Sequence, residues 1–131
     1  IAALMDAGGN VPMIGDADDA RLVRFDPRRE ASVFRSLLAT GAVFFERADF
    51  KAKARCFDDK SAWLLGDSTR LSFERLQDVS AEEPGREFPQ GGYTILGDRF
   101  GTPEEVRIVA DAAPLASGRL LVRAGAPSRP P

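Results

Sequence analysis

The segment FPQGGYTIL, at residues 88–96, marks the point at which the hydrophobic pattern of the sequence changes. Upstream of it apolar residues recur at helical spacing, whereas residues 93–96 and 105–111 alternate in the manner of strands. Residues 97–104 contain two glycines and a proline, which suits a long hairpin connection between these strands. Helices followed by antiparallel strands predict an α+β fold of two packed units rather than a βαβ repeat.

The N-terminal residues predict the end of a helix. Residues 1–7 are mostly apolar, and Gly8 and Gly9 follow them, as glycine does at many helix C-termini. Because the chain opens at Ile1 without Met, we expect this helix to begin in an upstream part.

A central helix is predicted from a cap and an apolar stripe. Asp26 is a favoured N-cap and Pro27 suits the first helical position, so we expect the helix to begin there. The stripe is wider than that of a lone surface helix, which predicts packing on more than one side. Gly41 inside it costs about 1 kcal/mol relative to Ala, a cost more easily tolerated if a neighbouring helix approaches closely. The stripe consists of Val33, Phe34, Leu37, Leu38, Ala42, Phe44 and Phe45.

A short helix follows the central one. Asp58 or Asp59 can cap it, and Gly66 can end it. Trp63 is then predicted to anchor the core. Residues 67–83 match neither the helical nor the strand period, and we expect a linker with room for a turn of helix.

Composition and charge exclude several classes of function. The 131 residues carry 18 basic and 20 acidic side chains, a net charge of −2, so we expect neither a nucleic-acid nor a membrane partner. Histidine is absent, which excludes Ser-His-Asp and Cys-His catalysis and imidazole metal sites within these residues. The one cysteine, Cys56, supports neither an internal disulfide nor a zinc knuckle. No run approaches the roughly 20 apolar residues of a membrane span.

The candidate site lies in the loop IGDADDAR, at residues 14–21. We take Asp16, Asp18, Asp19 and Arg21 as candidates for contact with a substrate. The loop resembles the start of a calcium-binding loop. Arg21, however, stands where such a loop requires glycine, and Pro27 stands where a glutamate should complete the ligand set, so an EF-hand is excluded. A looser oxygen-ligand site and a structural role, with the carboxylates capping arginines or backbone amides, stay open.

Other candidate catalytic groups have structural interpretations. Tyr93, the only tyrosine, lies in an alternating strand and is predicted to be a half-buried sheet residue. The acidic pairs at residues 82–83 and 104–105 are of the type that glycoside hydrolases use, but adjacent acids in a linker or hairpin are usually solvated. The sequence therefore assigns this chain no catalytic residue, no metal ligand and no cofactor.

Four segments, in this order, resemble the heparinase II/III-type polysaccharide lyases. They are NVPMIGDADD at 10–19, FRSLLATGAVF at 34–44, AWLLG at 62–66 and FPQGGY at 88–93, and the resemblance covers about residues 1–115. In that family an (α/α) toroid domain is followed by an antiparallel β-sandwich domain, and a segment like FPQGGY connects the two. The resemblance implies that residues 1–80 end the toroid domain and that residues 81–115 form a linker and the first β-hairpin of the sandwich.

The resemblance also implies a parent enzyme that cleaves uronate-containing acidic polysaccharide, heparin-like or alginate-like, by β-elimination. This chemistry needs a group that neutralises the uronate carboxylate, a base for the C5 proton and an acid for the departing oxygen. The family uses Asn or His, Tyr and His, often with a zinc or calcium ion held by His and Asp in the sandwich, and is commonly periplasmic or secreted in bacteria. Because this chain has no histidine, we expect a junction fragment that is inactive by itself, with any metal in the full-length parent.

The C-terminal residues depart from the family pattern at Ala116. Residues 116–131 carry three arginines, three prolines and no acid, and are predicted to be a disordered or frameshifted tail. A competing interpretation is a non-catalytic carbohydrate-binding or protein-interaction module. In that module Arg21, Arg24, Arg28 and Arg29 would meet an acidic glycan.

Overall fold

The computed structural model describes residues 1–13, 32–79, 85–111 and 123–124. Their contacts form two compact units: a helical unit, residues 13 and 32–79, and a sheet unit, residues 3–12, 85–111 and 123–124. Helices in one unit and an antiparallel sheet in the other confirm the predicted α+β class. The elements are α1 (Val33–Phe44), α2 (Ala48–Ala54), α3 (Asp59–Leu65), α4 (Thr69–Arg75), β1 (Arg86–Phe88), β2 (Tyr93–Asp98), β3 (Val106–Asp111) and β4 (Arg123–Ala124).

Helix α1 begins later than the sequence predicts. Its N-cap is Ser32, whose backbone is extended and whose Oγ accepts a hydrogen bond from the Arg35 amide at 3.3 Å. The predicted start at Asp26 and Pro27 is therefore wrong for this helix, and those two residues lie outside the described ranges.

Helix α1 buries one side and leaves several large apolar residues exposed on the other. Leu38, Ala39 and Ala42 are buried, whereas an apolar stripe of Val33, Leu37 and Phe44 is exposed. At about 100° per residue the three stripe positions fall on one side of the helix, away from the buried side. The predicted burial of these three residues is therefore wrong, whereas α1 itself packs against α2, α3 and α4.

The close approach predicted at Gly41 is confirmed. A Cβ atom built on Gly41 would lie 3.3 Å from Cδ2 of Phe50, so the Phe50 ring of α2 lies against the bare backbone of α1. Absence of a side chain at this position lets the two helices pack closely, which offsets the helix-propensity cost of glycine.

The caps predicted for α3 are confirmed. Asp58 accepts a hydrogen bond from the Ser61 amide at 3.0 Å, and Gly66 ends the helix at a φ of 91°. Trp63, however, is 69 % exposed, so its predicted role as a core anchor is wrong. Ser61 is the fully buried residue of α3, and Trp63, two positions further and about 200° round the helix, points away from that side.

Helix α4 forms within residues 67–83, where the sequence predicts a linker with room for a turn of helix. Its C-terminal end is held by Lys51, whose Nζ donates to the carbonyl oxygens of Glu74 at 3.1 Å and Leu76 at 2.6 Å. The same ammonium pairs with Asp78 at 2.8 Å. A cation at a helix C-terminus satisfies carbonyl groups that have no partner inside the helix. This long-range contact has no local sequence signal.

The sheet has the order β1-β2-β3-β4 with every neighbouring pair antiparallel. The predicted β2–β3 hairpin is confirmed, and Ile95 lies opposite Val109 in its register. Strand β1 was not predicted, and it pairs with β2 through a turn in which Gly92 has a φ of 72°. Strand β4 lies in the segment 116–131, which the sequence predicts to be a disordered or frameshifted tail, and it pairs with β3. The other residues of this segment lie outside the described ranges.

The N-terminal residues form turns rather than the end of a helix, so that prediction is wrong. One turn is closed by hydrogen bonds from the Leu4 and Met5 amides to the Ile1 carbonyl, each 3.0 Å long. A second is closed by the Asp6 carboxylate, whose Oδ1 accepts the Asn10 amide at 2.8 Å. Aspartate side chains that accept nearby amides compete with helical hydrogen bonding, which explains the outcome.

Candidate functional site

The predicted substrate-contact residues lie outside the described part of the chain. Asp16, Asp18, Asp19 and Arg21 all fall between residues 13 and 32, and the arginines of the competing interpretation fall there as well. The described residues therefore do not test these candidates, and they stay predictions.

The burial of the Glu105 side chain differs from what the sequence predicts. The sequence predicts that the acidic pair at 104–105 is solvated, and Glu104 is indeed exposed, but the Glu105 side chain is buried. Its Oε2 accepts hydrogen bonds from the Ala7 amide at 3.1 Å and the Gly101 amide at 2.9 Å. Three donors around one carboxylate, Arg107 being the third, explain how a buried charge is tolerated.

Arg107 is the buried partner of Glu105. Its Nε donates to Glu105 Oε1 and its Nη1 donates to the Ala3 carbonyl. The guanidinium carbon lies 4.7 Å from the centre of the Phe100 ring, a cation–π distance. The remaining nitrogen, Nη2, is buried without a hydrogen-bond partner. The pair is enclosed by its own chain and links β3 to the N-terminal turns.

Tyr93 takes the place that the sequence predicts. It lies in β2 opposite Asp111 of β3 and Phe88 of β1, and it is half-buried. Its ring packs against the cluster of Ala3, Ile95 and Val109. The only phenol of the chain is therefore part of the sheet packing.

A second polar cluster lies between α1 and α3. The hydroxyls of Thr40 and Ser61 share a hydrogen bond at 2.8 Å, and Ser61 Oγ also donates to the Ser36 carbonyl at 3.4 Å. Two buried atoms beside it, Ser36 Oγ and Asp58 Oδ2, have no hydrogen-bond partner. Ser61 is fully buried and no histidine exists in the chain, so this cluster connects two helices and does not form a nucleophile–base pair.

The pKa of Asp49, in the helical unit, is lowered by its neighbour Arg47. Both Nε and Nη2 of Arg47 donate to its carboxylate, and this hydrogen-bonded charge lowers the pKa of Asp49 below its ordinary value. The Arg47 guanidinium also lies 4.4 Å from the centre of the Phe50 ring. The pair fixes the first turn of α2, where a carboxylate is favoured by the helix dipole.

The exposed aromatic side chains are the surface feature that sequence reasoning missed. Trp63 is exposed on α3, and Phe44 and Phe45, at the end of α1, form an edge-to-face pair with ring centres 4.9 Å apart. Their periodicity alone predicts burial, and no local signal marks them as exposed.

The described residues contain no cluster of metal ligands and no helix that could span a membrane. Within residues 1–13, 32–79, 85–111 and 123–124, no group of three His, Cys, Asp or Glu side chains is placed to hold a metal ion. No helix in the described ranges is long and apolar enough to span a bilayer.

The comparisons with known proteins identify no relative. No family model, no curated protein and no solved structure matches the chain.

Proposed function

We propose that the chain is a scaffold piece of a polysaccharide lyase of the heparinase II/III-like type, and that it binds acidic polysaccharide without cleaving it. The observation that carries the proposal is the succession of four helices and an antiparallel sheet, with the change between Val79 and Arg86. In this proposal α1–α4 are the last helices of an (α/α) toroid and β1–β3 are the first strands of a β-sandwich.

The proposed lack of catalysis rests on the side chains available. An elimination needs a base for the C5 proton and an acid for the leaving oxygen, and the family's imidazole groups are absent from all 131 residues. The one phenol, Tyr93, packs against its own sheet unit. In this proposal the reacting groups, and a zinc or calcium ion if the enzyme uses one, come from other residues of the parent enzyme.

Binding is proposed to involve the loop at residues 14–21. Arg21 would pair with a uronate carboxylate or sulfate group, since a guanidinium binds such oxyanions through two parallel hydrogen bonds. Asp16, Asp18 and Asp19 would accept hydrogen bonds from sugar hydroxyls. Because the net charge of −2 gives no general attraction to a polyanion, binding would depend on these local contacts.

The experiment is a binding measurement on the full chain with heparin, alginate and an uncharged glucan. We expect weak, salt-sensitive binding to one or both acidic polymers and none to the glucan. Arg21→Ala should abolish the binding, whereas Arg99→Ala, which removes an exposed arginine of the sheet unit, should leave it unchanged. Equal binding of the glucan, or of the Arg21→Ala variant, would contradict the proposal.

A second candidate, a protein-interaction module, is favoured by the exposed apolar stripe on α1. Val33, Leu37 and Phe44 present adjoining apolar surface on one side of a 12-residue helix. A module that folds by itself should unfold in one cooperative transition and remain monodisperse, whereas a piece of a larger domain should aggregate through this surface. Calorimetry together with light scattering separates the two candidates.

A further inference from the structure

We propose that the helical unit pairs with a second copy of this chain through α1, with the two α1 helices antiparallel about a two-fold axis. The paired surface, called the α1 seam below, consists of Val33, Leu37, Thr40 and Phe44. The pairing does not rest on the proposed binding of polysaccharide, since no residue of the seam belongs to the loop at residues 14–21.

The spacing of the seam is that of a contact between two helices in a coiled coil. Its residues follow one another at intervals of four, three and four, the alternation with which a helix presents one narrow row to a neighbouring helix. The row covers about 60° of the helix circumference and is about 16 Å long at 1.5 Å per residue. Val33, Leu37 and Phe44 are exposed and Thr40 is half-buried, so the row is accessible along its whole length.

The side chains of the seam complement one another when two copies run antiparallel. A two-fold axis through the middle of the seam brings Phe44 of each copy opposite Val33 of the other, and Leu37 opposite Thr40. Each layer then joins a larger side chain with a smaller one, so the layers have similar thickness and can interdigitate. Parallel pairing in register would instead place Phe44 against Phe44 and Val33 against Val33. The seam therefore contains its own complement in the antiparallel arrangement, which identifies a second copy as the partner.

Polar and charged groups of α1 do not oppose this pairing. The Thr40 hydroxyl already has hydrogen-bond partners in its own copy, Ser61 Oγ at 2.8 Å and the Ser36 carbonyl oxygen at 3.2 Å. Arg35, the one charged residue of α1, lies about 180° from the centre of the seam. Closing the seam therefore neither buries a charge of α1 nor brings like charges of α1 together.

The size of the seam predicts a reversible dimer. The Phe44 ring, 69 % exposed, contacts the exposed Phe45 ring edge to face, so the apolar surface continues beyond the end of the seam. Together with Val33 and Leu37, these rings offer on the order of 300–400 Å² per copy, since an aromatic side chain can bury about 150–250 Å². Stable interfaces bury about 800 Å² per partner, so we expect a transient complex.

Sedimentation of the full chain over about 10 μM to 1 mM tests the pairing. We expect a monomer–dimer equilibrium without larger species, because two-fold pairing covers the seam on both copies. Leu37→Glu places a charge in two layers of the dimer and should raise the dissociation constant at least about tenfold. The matched control is Leu71→Glu, the same substitution at an exposed leucine of α4, which should leave the constant unchanged. Because both leucines are exposed, we expect both variants to fold, which circular dichroism checks.

Cross-linking tests the antiparallel arrangement. Val33→Cys and Phe44→Cys are made separately with Cys56→Ser, because Cys56 is exposed. A thiol cross-linker much shorter than the seam, which is about 16 Å long, should join the two proteins in an equimolar mixture. Neither protein alone should cross-link, since antiparallel pairing places its two cysteines at opposite ends of the seam.

Four results would overturn the proposal. They are a chain that stays monomeric at about 1 mM, an unchanged dissociation constant in Leu37→Glu, an equal loss of pairing in Leu71→Glu, and cross-linking of Val33→Cys alone as efficient as that of the mixture. The first three would show that the seam does not pair with a second copy, and the last would show that the helices do not run antiparallel.

Discussion

Gly97 on β2 lies directly opposite Arg107 on β3, and the ring of Phe100 lies against both residues. A Cβ atom at Gly97 would overlap the Val106 carbonyl oxygen and come within 2.9 Å of Phe100 Cζ. The bare backbone at Gly97 therefore leaves room for the Val106 carbonyl and for the Phe100 ring, on which the Arg107 guanidinium stacks. A side chain at Gly97 should therefore disturb this arrangement.

Gly97→Ala should lower the free energy of unfolding of the sheet unit by about 1–3 kcal/mol, the usual cost of overpacking. The neighbouring Leu96→Ala, at a side chain that is half in solvent, should change it by less than about 0.5 kcal/mol. Denaturant-dependent hydrogen exchange of the β2 and β3 amides measures both values. Equal effects of the two substitutions would show that the space beside Gly97 is not needed.

Phe73→Ala should destabilise the helical unit by about 3–5 kcal/mol, because Phe73 is 4 % exposed and packs on Phe57 with ring centres 5.4 Å apart. Trp63→Ala should cost less than about 1 kcal/mol, although it removes a larger side chain, because the indole is mostly in solvent. Urea unfolding followed by circular dichroism measures both. A larger loss from Trp63→Ala would place the tryptophan in the core after all.

Thr40→Val and Ser61→Ala should each cost about 1–2 kcal/mol, because each removes one partner of a hydrogen bond between α1 and α3. The double variant should cost less than the sum, by about 0.5 kcal/mol or more, since the bond can be lost only once. Equilibrium unfolding of the four proteins gives this coupling energy. Strict additivity would mean that the two hydroxyls do not interact in solution.

Asp49 should titrate at a lower pH than an ordinary aspartate, because Arg47 donates two hydrogen bonds to its ionised form. A pKa that is lower in the folded than in the unfolded state gives stability above the unfolded pKa, and this stability is lost as the pH falls through the folded pKa. Carboxyl NMR of the wild type and of Arg47→Met measures the shift. We expect the pKa of Asp49 to rise in the variant, and no change would assign the shift to another cause.

Local signals predicted the parts of the fold that local chemistry determines. Asp58 and Gly66 bound α3 as expected, because an N-cap carboxylate and a positive-φ glycine act within one turn of the helix. The β2–β3 hairpin and the half-burial of Tyr93 followed from alternation over six-residue strands. Gly41 identified a close helix contact, since a costly residue inside a helix usually has a packing reason.

The remaining differences come from contacts between residues distant in sequence. Helix α4 is held by Lys51, which lies 25 residues before the Leu76 carbonyl that it contacts. Glu105 is buried because amides from the N-terminal turns and the hairpin meet there with Arg107, and no pattern around residue 105 records this. Trp63 is exposed because α3 directs Ser61 toward α1. Which side of a helix is covered depends on partners that periodicity does not identify.

The candidate site was predicted from the sequence alone. Asp16, Asp18, Asp19 and Arg21 lie outside the described residues, so their substrate contacts rest on the proposed function. Two groups of catalytic type do lie within the described residues, the phenol of Tyr93 and the carboxylate of Glu105. Tyr93 and Glu105 are both engaged within the sheet unit.

The most direct test of binding without cleavage measures both quantities on the same sample of the full chain. Heparin and alginate are titrated while the ultraviolet absorbance of unsaturated uronate products is recorded and the polymer length is followed by size-exclusion chromatography. We predict saturable binding that depends on Arg21, with no unsaturated product and no shortening of the polymer. Appearance of unsaturated product would contradict the account, and so would failure to bind any acidic polysaccharide.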